Sequence, residues 1–328
     1  MKKIFLILMI ILPFLMFGQK TEVYYGEPNR LDWASGLTQH YDKGYIIAGG
    51  FQDGNWESVK SWGIKTDCNL EHRWDNIIDF NPGVVAFQGA KTDSNGDLII
   101  YGFIAIDGTL SWPFVAKFDP CGEQLWCKIL DYSQEFEDGW AVDITISQDD
   151  DIIVLASLDS EEEIEKIHLI YIDSEGNVLW KKPYASKINY PWLDEVVIRS
   201  IQNINDEYYV SGYCYYPYPG DTTHFYLRPF FLGIDSAFNE KWILPFAVND
   251  SIHGVAYNTI ALNDSVYMGV GHRRGVYNKN TLLMFYNKHG EVLGYHQITN
   301  GDFGSNVDFN VISEVKPIND SMFISPFY

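Results

Sequence analysis

Phe118-Asp-Pro-Cys-Gly-Glu-Gln-Leu-Trp126 recurs along the chain, and that recurrence decides the fold. Ile172-Asp-Ser-Glu-Gly-Asn-Val-Leu-Trp180 is the clearest second copy. Thr66-Asp-Cys-Asn-Leu-Glu-His-Arg-Trp74 and Ile234-Asp-Ser-Ala-Phe-Asn-Glu-Lys-Trp242 also keep Asp and Trp seven positions apart. Tyr286-Asn-Lys-His-Gly-Glu-Val-Leu-Gly-Tyr295 is a degraded fifth copy. The spacing of 52 to 62 residues is that of a repeat architecture.

Outward from this unit the same four strands can be read. In the second repeat a first strand ends at Thr92, Asp93-Ser-Asn-Gly-Asp97 turns, and Leu98-Ile-Ile-Tyr-Gly102 returns. Pro113–Phe118 and Gln124–Ile129 are the third and fourth strands. Pro and Gly at the second and fourth positions of Asp119-Pro-Cys-Gly122 suit a type I turn. Asn-Gly between apolar runs is a strong hairpin signal. The first tight turn recurs six times, at Asp42, Asn95, Asp149, Asn205, Asn263 and Asn319, each before a short apolar strand rich in Val, Ile and Tyr. Gly49, Gly102 and Gly212 are expected to end three of these second strands, where the chain bends or another backbone approaches. No stretch shows sustained helical periodicity; the nearest, Glu161–Lys166, reads as an exposed loop.

The expected fold is therefore all-β, a β-propeller of about six four-stranded blades. The blades run approximately over 33–77, 84–129, 140–183, 195–244 and 254–298, with a partial sixth over 308–328. Lys20–Tyr25 reads as an orphan fourth strand that would complete the last blade and close the ring. Even with it the sixth blade lacks a third strand by 328, so truncation is expected, a shortened seven-bladed propeller being the alternative.

Lys2 and Lys3 ahead of the apolar run Ile4–Phe17 read as a signal peptide over 1–18, with the propeller over 19–328. That run is short of the roughly 20 residues a membrane span needs, so a secreted or cell-surface protein is expected, with the periplasm as a further location. A net charge of −21 argues against nucleic acid and anionic membranes as partners. The chain is expected to be a monomer. Cys68 and Cys121 fall in equivalent turns of successive repeats, too far apart for a disulfide, and Cys127 and Cys214 have no evident match.

Gly44-Tyr-Ile-Ile-Ala-Gly49 and Lys117-Phe-Asp-Pro-Cys-Gly-Glu-Gln-Leu-Trp126 resemble the blades of exported propeller proteins of the Bacteroidota. Phe17-Gly18-Gln19 has the same flavour, and such proteins often end in a sorting domain for type IX secretion. The Asp-to-Trp unit is also similar to the tryptophan-docking motif of quinoprotein dehydrogenases, one residue shorter between Asp and Gly. The quinone-binding members of that group have eight blades and adjacent cysteines; with neither here, no cofactor is expected.

Repetition in every blade assigns Trp74, Trp126, Trp180 and Trp242 to packing, and Asp67, Asp119, Asp173 and Asp235 to turn formation. Asp93–Asp97 and Asp149–Asp151 are too short for a calcium loop, and no metal site is expected. Binding residues should collect on the face of the variable loops. The aromatic loop Tyr213-Cys-Tyr-Tyr-Pro-Tyr-Pro-Gly-Asp221 offers Tyr215, Tyr216 and Tyr218. Trp140, Trp192 and Arg273, within the basic His272-Arg-Arg274, share that face. The expected function is a non-catalytic module binding a glycan or a protein, or a surface scaffold. The alternative, an exported hydrolase or lyase acting on polysaccharide, needs two facing carboxylates, for which Asp32, Asp138, Asp194 and Asp308 are the candidates.

Overall fold

The computed structural model describes residues 23–52, 59–78, 84–106, 110–130, 138–159, 166–186, 189–190, 196–218, 221–247, 253–274, 279–298, 316–319 and 322–324. Residues 1–22, with the expected signal peptide, lie outside them, as do Glu161–Glu165, Trp192, Asp194 and Asp308.

The described residues form five four-stranded antiparallel meanders, each ordered as in the sequence. The first comprises β1 (Leu31–Gln39), β2 (Tyr45–Gln52), β3 (Val59–Thr66) and β4 (His72–Ile78). The second comprises β5 (Val84–Thr92), β6 (Leu98–Ile106), β7 (Leu110–Phe118) and β8 (Gln124–Ile129). The third is built from β9 (Asp138–Ile146), β10 (Ile152–Asp159), β11 (Ile167–Ile172) and β12 (Val178–Tyr184). The fourth holds β13 (Val196–Ile204), β14 (Glu207–Tyr218), β15 (Asp221–Ile234) and β16 (Glu240–Pro245). The fifth holds β17 (Gly254–Ala261), β18 (Val266–Arg274), β19 (Lys279–Asn287) and β20 (Val292–Ile298). β21 (Lys316–Asn319) and β22 (Met322–Ile324) pair in a two-stranded sheet within the stretch expected to hold a partial sixth blade.

The first strands β1, β5, β9, β13 and β17 touch in sequence order around a common axis, and β5, β9, β13 and β17 each also pack on the sheet of the blade before. This is a β-propeller, and its core lies between blades. In β10, Ile152, Val154 and Ala156 enter the cluster shared with the second blade, while Ile153 and Leu155 enter the one shared with the fourth. Both faces of a middle strand are therefore buried, which is why these strands read as unbroken apolar runs.

The tight turns are as local chemistry dictates. In five copies the Oδ1 of Asp67, Asp119, Asp173, Asp235 or Asn287 accepts the backbone N–H groups two and four residues on. Those backbone donors, Glu71 N–H foremost for Asp67 and Asn239 N–H for Asp235, hold the two carboxyls below their ordinary range.

The repeated Trp joins consecutive blades by docking on the corresponding turn of the next one. A Cβ on Gly176 would stand 2.8 Å from the Trp126 ring, whose Nε1 donates to Ser174 O at 3.3 Å. Trp242 donates to Lys288 O at 2.9 Å beside Gly290. Trp180 meets Phe238 instead, edge to face with ring centres 4.7 Å apart. Gly176 has φ +88°, and Phe238 takes the same left-handed conformation at +59°, the residue after a type I turn that forms a bulge.

Two expectations need correction. Val23–Tyr25 are not in a strand, residues 20–22 lying outside the described ones; the segment is tied instead by Tyr25 OH donating to Leu70 O at 2.5 Å, on the first blade's equivalent turn. The aromatic stretch from Tyr213 is not a loop: it prolongs β14, pairing Tyr215 with Leu227, Tyr216 with Tyr226 and Pro217 with Phe225. The described part of β13 begins at Val196, opposite Cys214, so, among the described residues, 215–218 pair only with β15. Pro217, which has no N–H to give, fits such an overhang.

Candidate functional site

Each of the five first strands carries one extra residue relative to its partner. The bulged residues are Ser35, Gln88, Val142, Arg199 and Tyr257. A bulge turns the added side chain out of the ladder, and all five line one axial cavity of about 720 Å³. Glycines on the second strands make room for the bulges. A Cβ on Gly49, Gly102, Gly212 or Gly271 would collide with the first-strand carbonyl of Trp33, Ala86, Val197 or Val255. Backbone approach is thus the reason for Gly49, Gly102 and Gly212, and β2, β6 and β14 run through them rather than ending there.

From the bulges the cavity extends toward the tight-turn end, past Lys91, Asp143, Ser200, Gln202 and Asn258. Asp143 is 6% exposed and ties three blades together. Its Oδ1 accepts Tyr101 OH at 3.0 Å and lies 3.0 Å from Lys91 Nζ, while its Oδ2 accepts Ile201 N–H at 2.9 Å. Lys91 Nζ also donates to Ile144 O. Ser200 Oγ and Ser211 Oγ are 2.7 Å apart, continuing the polar belt into the fourth blade. Arg199 is exposed in the cavity, its guanidinium 5.7 Å from the centre of the Tyr213 ring. Burial raises the Tyr257 phenol above its ordinary value, the nearby Arg199 charge pulling it partly back.

The residues singled out from sequence lie elsewhere or outside the described ones. Tyr215 and Tyr216 are half-buried on the β14 overhang, and the Arg228 guanidinium covers the Tyr216 ring at 4.3 Å. The backbone of Tyr218 ends β14, its side chain lying outside the described residues, as does Trp192. Trp140 is half-buried in β9, opposite Ser157. Arg273 donates from Nη1 to Gln297 Oε1 at 2.9 Å. Of the described side chains, Tyr215, Tyr216, Trp140 and Arg273 do not line the axial cavity.

The described first strands hold three carboxylates, Asp32, Asp138 and Asp143, and each is engaged. Asp32 takes Arg30 Nε at 2.7 Å, with that guanidinium lying 4.0 Å from the centre of the Phe51 ring. Asp138 accepts Ser111 N–H at 2.8 Å together with the Ser111 hydroxyl. The acidic turns are also satisfied within the protein: Lys117 Nζ sits 2.8 Å from Asp93 Oδ2 and 3.1 Å from Asp97 Oδ2, in the position a cation would take. Among the described residues no group of three or more metal-ligating side chains converges.

No family model matches the chain, and no curated protein does. Solved structures do. A mutant of the α-L-arabinofuranosidase of Fusarium graminearum, bound to an iminosugar inhibitor, superposes over 84% of each chain at 10% identity with a TM-score of 0.54. The same organism's α-L-arabinofuranosidase with arabinobiose covers 84% of each at 10% identity and a TM-score of 0.52. The Penicillium chrysogenum α-L-arabinanase with arabinobiose covers 81% of this chain and 80% of that one at 8% identity, with a TM-score of 0.49. The likeness is one of fold.

Proposed function

We propose that this is an exported, carbohydrate-engaging propeller that holds a glycan at its axial cavity. The observation carrying this reading is the ring of bulged side chains. A cavity of about 720 Å³ is of ligand size, and Ser35, Gln88, Gln202 and Tyr257 present hydroxyls and amides that complement sugar hydroxyls. The half-buried tyrosines of the β14 overhang lie on the other side of the bulges, off this cavity. Binding without cleavage fits the described carboxylates, since Asp32, Asp138 and Asp143 are each tied to a donor of the protein itself.

A second reading, a polysaccharide hydrolase, is favoured by the two arabinofuranosidase structures that share the fold over most of both chains. It would require a pair of carboxylates across the cavity mouth, with Asp194 and Asp308 as the candidates outside the described residues. Both readings meet in one experiment. The protein is titrated with a panel of soluble plant and microbial cell-wall polysaccharides, and the same mixtures are assayed for new reducing ends. Saturable binding that weakens in Gln88→Ala and Tyr257→Phe supports the cavity. New reducing ends place the protein with the hydrolases, and binding indifferent to both substitutions moves the site off the axis.

A further inference from the structure

The geometry points to an acidic sugar: Arg199 is the seat for the carboxylate of a uronic-acid residue in the axial cavity. This deepens the carbohydrate reading and rests on it. The chain has 44 Asp and Glu against 23 Lys and Arg, so a cation without a carboxylate partner stands out. Arg199 is one. It is exposed on its bulge, and among the described residues no carboxylate lies within ion-pair distance of it. Its described contact is the face of the Tyr213 ring. Stacking there would steady the guanidinium while leaving its in-plane N–H groups free, the edge that grips a carboxylate with two parallel hydrogen bonds.

The charge of the cavity selects the kind of anion. Its charged lining residues are Lys91, Asp143 and Arg199, and the first two neutralise each other at 3.0 Å. One net positive charge remains, matching the single charge of a carboxylate better than the near-double charge of a phosphate monoester. Around it the lining is hydroxyl and amide: Ser35 and Gln88 at the bulge level, Gln202 and Tyr257 beside Arg199's own blade and the next. That combination suits a sugar ring bearing a carboxylate better than an acidic peptide, whose backbone would look for strand edges to pair with.

The test pairs each acid with its own neutral form. Short oligogalacturonate, oligomannuronate and glucuronate-bearing xylan fragments, and the methyl esters of each, are titrated by calorimetry into the full chain, into Arg199→Gln and into Arg199→Lys. The expected result is that one acid binds on the order of tenfold or more tightly than its ester. Arg199→Gln should abolish that preference without moving the melting temperature, and Arg199→Lys should keep part of it. Raising the salt concentration should weaken the acid and leave the ester unaffected. Equal binding of acid and ester, unchanged in Arg199→Gln, would overturn the uronate inference and leave the carbohydrate reading standing. A polyglutamate peptide binding through Arg199 while every sugar fails would overturn both, as would the absence of binding by any of these glycans and by the wider panel.

Discussion

Asp143→Asn isolates the contribution of one buried carboxylate at the meeting of three blades. The substitution keeps the shape and removes the charge. Asp143 Oδ1 accepts from Tyr101 OH and from Ile144 N–H, and Oδ2 from Ile201 N–H. An asparagine that keeps its oxygen toward Tyr101 turns its amide toward Ile201 N–H, donor against donor. A buried donor left without an acceptor costs about 1–3 kcal/mol, and the loss of a charged hydrogen bond about 1.5–3 kcal/mol. Lys91 has a side chain 33% exposed, so solvent screens its share of the pair and little is added there. Destabilisation of about 3 kcal/mol follows from these terms. It should be read from the urea midpoint at unchanged denaturant dependence, with tryptophan fluorescence as the probe. Lys91→Met, which leaves the three other donors on Asp143 in place, should cost less than half as much. If Asp143→Asn lies within about 0.5 kcal/mol of the parent, the range of ordinary surface changes, or if Lys91→Met costs as much, the carboxylate is not the tie between blades described above.

Two further expectations test the turns. Gly176→Ala places a Cβ 2.8 Å from the Trp126 ring at φ +88°, so it should destabilise by about 1–3 kcal/mol; a neutral outcome would show that Trp126 is free to move and does not bind the blades together. Asp42 tests acid stability: burial opposes its charge, but hydrogen bonds from Lys65, Gly44 N–H and His40 outweigh this and hold its pKa down at about 2. The stability it contributes is complete above the ordinary value of 3.8 and disappears as pH falls through about 2. The difference in melting temperature between parent and Asp42→Asn should therefore shrink from pH 5 to pH 2, and a constant gap would contradict the ion pair with Lys65.

The architecture is legible in the sequence because its signals are local. Asp at the head of a tight turn, a left-handed residue three positions on and Trp seven positions on are contained within one hairpin, so each copy announces itself. Asp32 and Asp138 are visible in the sequence as acids, but their hydrogen-bonding partners are not. Arg30 lies two positions from Asp32 with its ring partner Phe51 in another strand, and Ser111, which holds Asp138, comes from the neighbouring blade. The axial cavity is hidden for a different reason. A bulge shifts the apolar phase by one place: Phe87 to Ala90, Ala141 to Ile144 and Ile198 to Ile201 are steps of three where two would continue the alternation. Arg199 sits inside such a step and looks like an ordinary solvent-facing residue. Pro217 looks like a loop former because its pairing with Phe225, eight positions on, cannot be seen in the sequence.

Trp-to-turn docking has a directional character. Trp74, Trp126, Trp180 and Trp242 project from the first four blades, and each meets a turn of the blade that follows, so the contact is head to tail. Tyr25 sits on the equivalent turn of the first blade, through Leu70 O. Tyr184 OH makes the same bond to Phe238 O on the fourth blade's turn, so the segment before β1 docks on the first blade as a preceding blade would.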